Sequence, residues 1–86
     1  MARDEAPRKL SVEEYERRKQ IGATIKRIRE RKALTIEQCA VLAGVKYNTW
    51  QRWEAGKTAI PLELVANICK ALGSVVPQLH PHLRAA

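Results

Sequence analysis

Gly44 lies between two short helical patterns, and that position restricts this chain more than any other. Before it runs Thr35-Ile-Glu-Gln-Cys-Ala-Val-Leu-Ala43. The Thr35 hydroxyl can accept from a free backbone N–H at a helix start. Cys39, Ala40 and Ala43 then form one inward apolar stripe. Gly44 supplies the left-handed backbone that ends a helix without a Cβ clash. Val45 follows as an apolar plug. A second pattern runs from about Tyr47 to Ala55, with Trp50 and Trp53 on its inner side, and Gly56 stops it.

Two short helices meeting steeply around a glycine turn make a helix-turn-helix, whose second helix is built to enter a DNA major groove. The i, i+3 spacing of Trp50 and Trp53 turns both indoles toward the core. The outward face then carries Lys46, Tyr47, Asn48, Gln51 and Arg52. Asn48 and Gln51 can each pair bidentately with adenine, and Arg52 or Lys46 can bond guanine O6 and N7. Tyr47 can lie on a thymine methyl or bond a phosphate. Lys57 and Thr58, just past the helix, suit phosphates. So do the backbone amides near Thr35 and Ile36, at the start of the first helix of the pair.

The rest of the chain frames this pair. Residues 1–10 read as a polar, disordered arm containing Pro7. Ser11 caps a helix, Glu14 is its capping-box partner, and Leu10 can staple to Tyr15. That helix runs to about Lys32 with Ile21, Ile25 and Ile28 inside. Its first half is almost wholly polar, so it extends past the core or packs on another subunit. Arg17-Arg18-Lys19 either meets DNA backbone or forms a solvated face paired with Glu13, Glu14 and Glu16. Pro61 opens a further helix at its first turn. Leu62, Val65, Ala66, Ile68, Cys69 and Leu72 give that helix its apolar face, with Leu64 off it, and Gly73 ends it. Val75 to Leu79 reads as a short fifth turn. The domain is expected over residues 11–79, with residues 80–86 a tail.

Charge narrows the partners. Lys and Arg number 16 against 9 acidic residues, a formal charge of +7 on 86 residues, and this points to a polyanion. No strand or hairpin signal competes with the helices. The two cysteines, Cys39 and Cys69, make no disulfide framework and read as small buried thiols. His80 and His82 lie in the tail, Cys39 has no histidine placed to activate it, and no phosphate loop or zinc spacing occurs. No enzyme, cofactor or metal site is expected. No apolar run is long enough to span a membrane and no signal peptide stands at the start, so a cytoplasmic setting is expected.

These patterns together resemble the Cro/repressor-type (XRE-like) helix-turn-helix family of bacterial and phage proteins. The resemblance runs from Ile21 to about Leu79. Ile21-Gly-x-x-Ile-x-x-Ile-Arg29 is similar to the family's first helix, and Thr35–Gly44 to its second. Val45–Gly56, with Trp53-Glu-Ala-Gly-Lys57, is similar to its recognition helix, and Pro61–Gly73 to its fourth. The resemblance implies an all-α, five-helix repressor-like domain, here with an N-terminally extended first helix. It also implies a buried salt bridge between Arg29 and Glu54. A glutamate near a helix C-terminus opposes the dipole, so it needs such a cation. Three positions depart from the family. Ile36 stands where Gln or Ser is usual, leaving only its backbone for a phosphate. Lys46 stands at a capping position but cannot accept a hydrogen bond. Trp50 replaces a smaller aliphatic residue.

The function expected is a sequence-specific, double-stranded DNA-binding repressor or regulator acting as a homodimer on a two-fold operator. Dimerisation is expected through Leu64, Val75 and Leu83, or through the first half of helix one around Tyr15. The alternative is an antitoxin or protein-interaction module of a toxin–antitoxin pair that also binds DNA, its protein partner a toxin or another regulator. Membrane-surface binding is disfavoured, since the basic residues do not gather opposite one apolar stripe.

Overall fold

The computed structural model describes residues 11–76 and 79. The expectations for the arm, the Leu10 staple, His80, His82, Leu83 and the tail lie outside them. Four α-helices follow in order: α1 (Val12–Arg31), α2 (Ile36–Ala43), α3 (Tyr47–Ala55) and α4 (Val65–Leu72). No strand occurs among the described residues.

Side chains from just outside the helices fix the first two starts. Ser11 Oγ accepts from the Glu14 amide at 3.1 Å, and Glu14 accepts in return from the Ser11 amide at 3.1 Å. Thr35 and Gln38 make the same reciprocal pair at 3.0 and 2.8 Å. Each box satisfies helix-start amides that have no intrahelical partner. Lys46, before α3, makes no such bond.

All four helices end in one way. The second residue past the helix end, counted from the capping residue of α1 and from the helices themselves elsewhere, donates its amide back over the last turn. The bonds are Leu34→Arg29, Val45→Ala40, Lys57→Arg52 and Ser74→Cys69. Such a closure needs a left-handed residue just before the donor. Gly44 fills that role between α2 and α3 at φ 75°. After α1 the role falls to Ala33, at φ 59°. An alanine there carries a Cβ cost of ~1–2 kcal/mol, and without a glycine the sequence gives no sign of the bend.

The core lies where α1, α2, α3 and α4 meet. Ile25, Ile28, Cys39, Ala40, Ala43, Trp50, Trp53, Val65, Ile68 and Leu72 are buried together. The two indoles sit 5.8 Å apart at a tilt of 58°, close to the edge-to-face range that aromatic pairs prefer. The small Cys39, Ala40 and Ala43 of α2 leave room for them.

Two expectations about the C-terminal half are corrected. The described residues hold four α-helices and not five; a short 3-10 turn at Leu62–Leu64 precedes α4, and the Val75–Leu79 segment shows the Leu79 amide bonded to the Val76 carbonyl. Pro61 stands before the 3-10 turn in an extended conformation, not in the first turn of an α-helix. The tighter 3-10 winding rotates the next side chains relative to an α-helix. Leu64 therefore packs against the core, while Leu62 and Ala66, expected inside, are exposed.

Candidate nucleic-acid interface

Glu54 ties α3 to α1. Its carboxylate accepts from Arg29 Nε at 2.6 Å and Nη2 at 3.1 Å, a two-point grip across 25 residues of chain. The same carboxylate accepts from Trp50 Nε1 at 2.8 Å, one helical turn back. Arg29 also donates through Nη1 to the Leu34 carbonyl at 2.9 Å, which holds the bend after α1. The hydrogen bonds that Arg29 donates to Glu54 raise its pKa above the ordinary value, while burial works the other way. Sequence reasoning anticipated the Arg29–Glu54 pair through the resemblance, but not the indole. The signal was present in the i, i+4 spacing of Trp50 and Glu54.

Beside this junction α1 crosses α3 with backbone nearly touching backbone. A Cβ on Gly22 would run into the carbonyl oxygens of Trp53 and Glu54. Glycine is the one residue type that allows the approach, and a lone glycine inside a helical pattern is its usual sign. Two further ties hold the helix pair. Asn67 Nδ2 of α4 donates to the Ala43 carbonyl at 3.0 Å, at the end of α2. Lys32 Nζ donates to the Gly73 carbonyl at 2.9 Å, joining the ends of α1 and α4. Neither was legible in the sequence, because each pairs residues far apart in the chain.

With its inner side fixed, α3 presents a polar outer side. Lys46, Tyr47, Asn48, Gln51 and Arg52 are all exposed. Their side chains make no hydrogen bond or ion pair with other described residues. Trp50 and Trp53 are 0% and 2% exposed, which leaves no indole face for a base. Past the helix, the bond from the Lys57 amide to the Arg52 carbonyl at 3.0 Å sets the direction of the following loop. Lys57 is exposed and Thr58 half-buried there.

At the start of α2 the residues divide their tasks. The Thr35 hydroxyl is occupied by the Gln38 amide. Ile36 turns its side chain toward the core, so only main-chain N–H groups of the first turn remain for an anion. No group of three or more metal-ligating side chains occurs among the described residues. No helix among them is long and apolar enough to cross a membrane. Both cysteines are free thiols.

A family model described as a helix-turn-helix domain matches residues 20–83. No curated protein matches the sequence. Among solved structures, the chain is similar to the clp gene regulator ClgR from Corynebacterium glutamicum in two crystal structures. Each shows 26% identity and a TM-score of 0.68 over 80% of this chain, covering 90% of the ClgR chain in one and 73% in the other.

Proposed function

The chain belongs to the helix-turn-helix family, and from that premise we propose that it is a sequence-specific repressor that reads double-stranded DNA through the major groove with α3. Its activity is DNA-binding regulation of transcription, not catalysis. One observation carries the reading of α3: its inner side is engaged in packing, while its outer side holds Lys46, Tyr47, Asn48, Gln51 and Arg52 exposed and without partners among the described residues. Asn48 and Gln51 offer paired donor and acceptor groups for adenine; Arg52 and Lys46 offer donors for guanine. Lys57, Thr58 and the Ile36 amide at the start of α2 hold the backbone on either side, while the Thr35 amide is taken by the Gln38 side chain and Thr35 serves as the cap. Occupancy of a promoter by such a domain blocks polymerase without further machinery. Selection of bound duplexes from a random pool tests this. A short enriched consensus is expected, and a pool that stays random after selection overturns the reading.

One recognition helix spans few base pairs, so two copies on a two-fold operator supply the affinity. Leu62 and Val75, at 59% and 55% exposed, are apolar side chains left for that contact; Leu64 is half-buried against the core. Leu62→Glu with Val75→Glu is expected to leave the fold intact and give single-copy complexes in ultracentrifugation on operator duplex. Complexes that remain two-copy would move the interface to the first half of α1. The antitoxin reading has one observation in its favour: Val41 and Leu42 of α2 are 73% and 58% exposed on an otherwise well-packed domain. A toxin gene beside this one would favour that reading.

A further inference from the structure

The first half of α1 runs beside the loop that leaves the recognition helix. A Cβ placed on Gly56 would lie 2.9 Å from Lys19 Cα and 3.1 Å from its Cγ, so helix and loop are in backbone contact there. Just before it in the helix, Arg17 and Arg18 line a cavity of about 380 Å³ together with Glu14, Thr58 and Ala59. Three consecutive basic residues thus stand next to Lys57 and Thr58. Among the described residues, no carboxylate forms an ion pair with any of the three. Glu13 and Glu14 stand one turn before Arg17 and Arg18, and Glu14 lines the same cavity, but neither forms an ion pair with the arginines. Glu13 and Glu14 belong to the first turn, where the helix dipole favours negative charge, and Glu14 is engaged in the cap of Ser11. Lys19 Nζ lies 5.6 Å from the centre of the Tyr15 ring, a contact that holds a cation at the surface without neutralising it.

We propose that Arg17, Arg18 and Lys19 form, with Lys57, a continuous phosphate-binding edge, so that the N-terminal extension of α1 grips the DNA backbone beside the loop after the recognition helix. The partner is the phosphodiester backbone, because the edge is basic and adjoins the surface assigned to DNA. The inference rests on the DNA-binding reading given above. Phosphate contacts position a protein without specifying sequence, so this edge adds affinity and salt dependence but no base preference. Each phosphate neutralised contributes about 0.9 to the slope of log K against log salt.

The test uses the full chain on a selected duplex and on random duplex. Arg17→Gln/Arg18→Gln/Lys19→Gln removes three charges while keeping long, helix-compatible side chains. Arg27→Gln/Arg31→Gln/Lys70→Gln removes the same number from exposed positions away from the edge. Circular dichroism confirms that both fold; if the first does not, Lys19→Gln alone replaces it. The edge variant is expected to lower the salt slope by about 1–3, to lose affinity equally on both duplexes, and to leave the selected consensus unchanged. The control is expected to keep a near wild-type slope. Equal losses in both variants would mean long-range charge only and overturn the proposal, as would an edge variant with an unchanged slope. If Lys57→Ala lowers the slope while the edge variant does not, the inference fails and the DNA reading stands. A flat salt response in the wild type defeats both.

Discussion

The two sides of α3 are treated in opposite ways by the rest of the molecule. On the inner side the charged and hydrogen-bonding groups of Trp50 and Glu54 are engaged. Trp50 Nε1 donates to Glu54, Glu54 receives Arg29, and the α3 carbonyls of Trp53 and Glu54 press on Gly22. On the outer side, five exposed side chains from Lys46 to Arg52 have no partner within the described residues. The inner side decides where the helix lies, and the outer side is free to decide what it touches. Substitutions should therefore separate cleanly: inner ones change stability, and outer ones change binding with stability intact.

The largest effect is expected at Trp53. Truncating a buried indole leaves a cavity and costs ~3–5 kcal/mol, comparable with the whole stability of a small domain. Trp53→Ala should be largely unfolded at room temperature by circular dichroism. A folded Trp53→Ala protein with lost DNA affinity would place the indole in the groove and break the comparison.

Glu54→Ala comes next. It strands the Arg29 guanidinium and the Trp50 N–H, whose surroundings are tight: the Arg29 and Glu54 side chains are 11% and 8% exposed. Removing one partner of such a pair costs about 3–5 kcal/mol. Replacing both, as Arg29→Met/Glu54→Leu, should recover much of that loss in urea unfolding, short of the ~1–3 kcal/mol that an unsatisfied indole N–H retains. A double variant no more stable than Glu54→Ala would show that the bend at Leu34, which Arg29 also holds, matters more than the pair.

The difference between the sides also explains what could be read in advance. The α2–α3 unit was legible to its ends, because Thr35, Gly44 and Gly56 are local signals with local causes. The core indoles were legible from spacing alone. Asn67 and Lys32 were not, since each acts on backbone 24 or more residues away. Leu62 and Leu64 exchanged places for another reason. A single turn of 3-10 winding changes the phase of the side chains around it, and apolar periodicity does not report winding; Val65, Ile68 and Leu72 keep the inward side expected of them. The outer side of α3 was named from residue type, and its base preferences depend on a partner rather than on the fold.

On the outer side the expected effects are smaller and divide by target. Asn48→Ala and Gln51→Ala should each cost ~1–3 kcal/mol on the selected duplex and relax base choice there. Lys57→Ala should weaken binding to all duplexes alike, with a shallower salt slope. All three should melt like wild type. If all three lost affinity equally on selected and random DNA, the outer side would be a phosphate-binding surface and not a reading head.

The smallest effect comes from a probe inside the core. Cys39 is fully buried in α2, whereas Cys69 of α4 is only half-buried. Burial pushes the Cys39 thiol above its ordinary pKa, and the nearby Arg29 charge only partly offsets this. In the unfolded chain the thiol ionises near ~8.5. Between that pH and the raised folded value, the unfolded state has released a proton that the native state retains. Stability must then fall as pH rises through this window, by at most about 1.4 kcal/mol per pH unit for one proton. Cys39→Ala should remove that component of the slope, measured as the difference between the two proteins in urea titrations from neutral to alkaline pH. In native buffer a thiol reagent should modify Cys69 alone, with Cys39 reacting only after unfolding. Equal labelling of both, or identical pH slopes with and without Cys39, would mean that the inner side of the helix pair opens to water, and that its difference from the outer side is smaller than the packing implies.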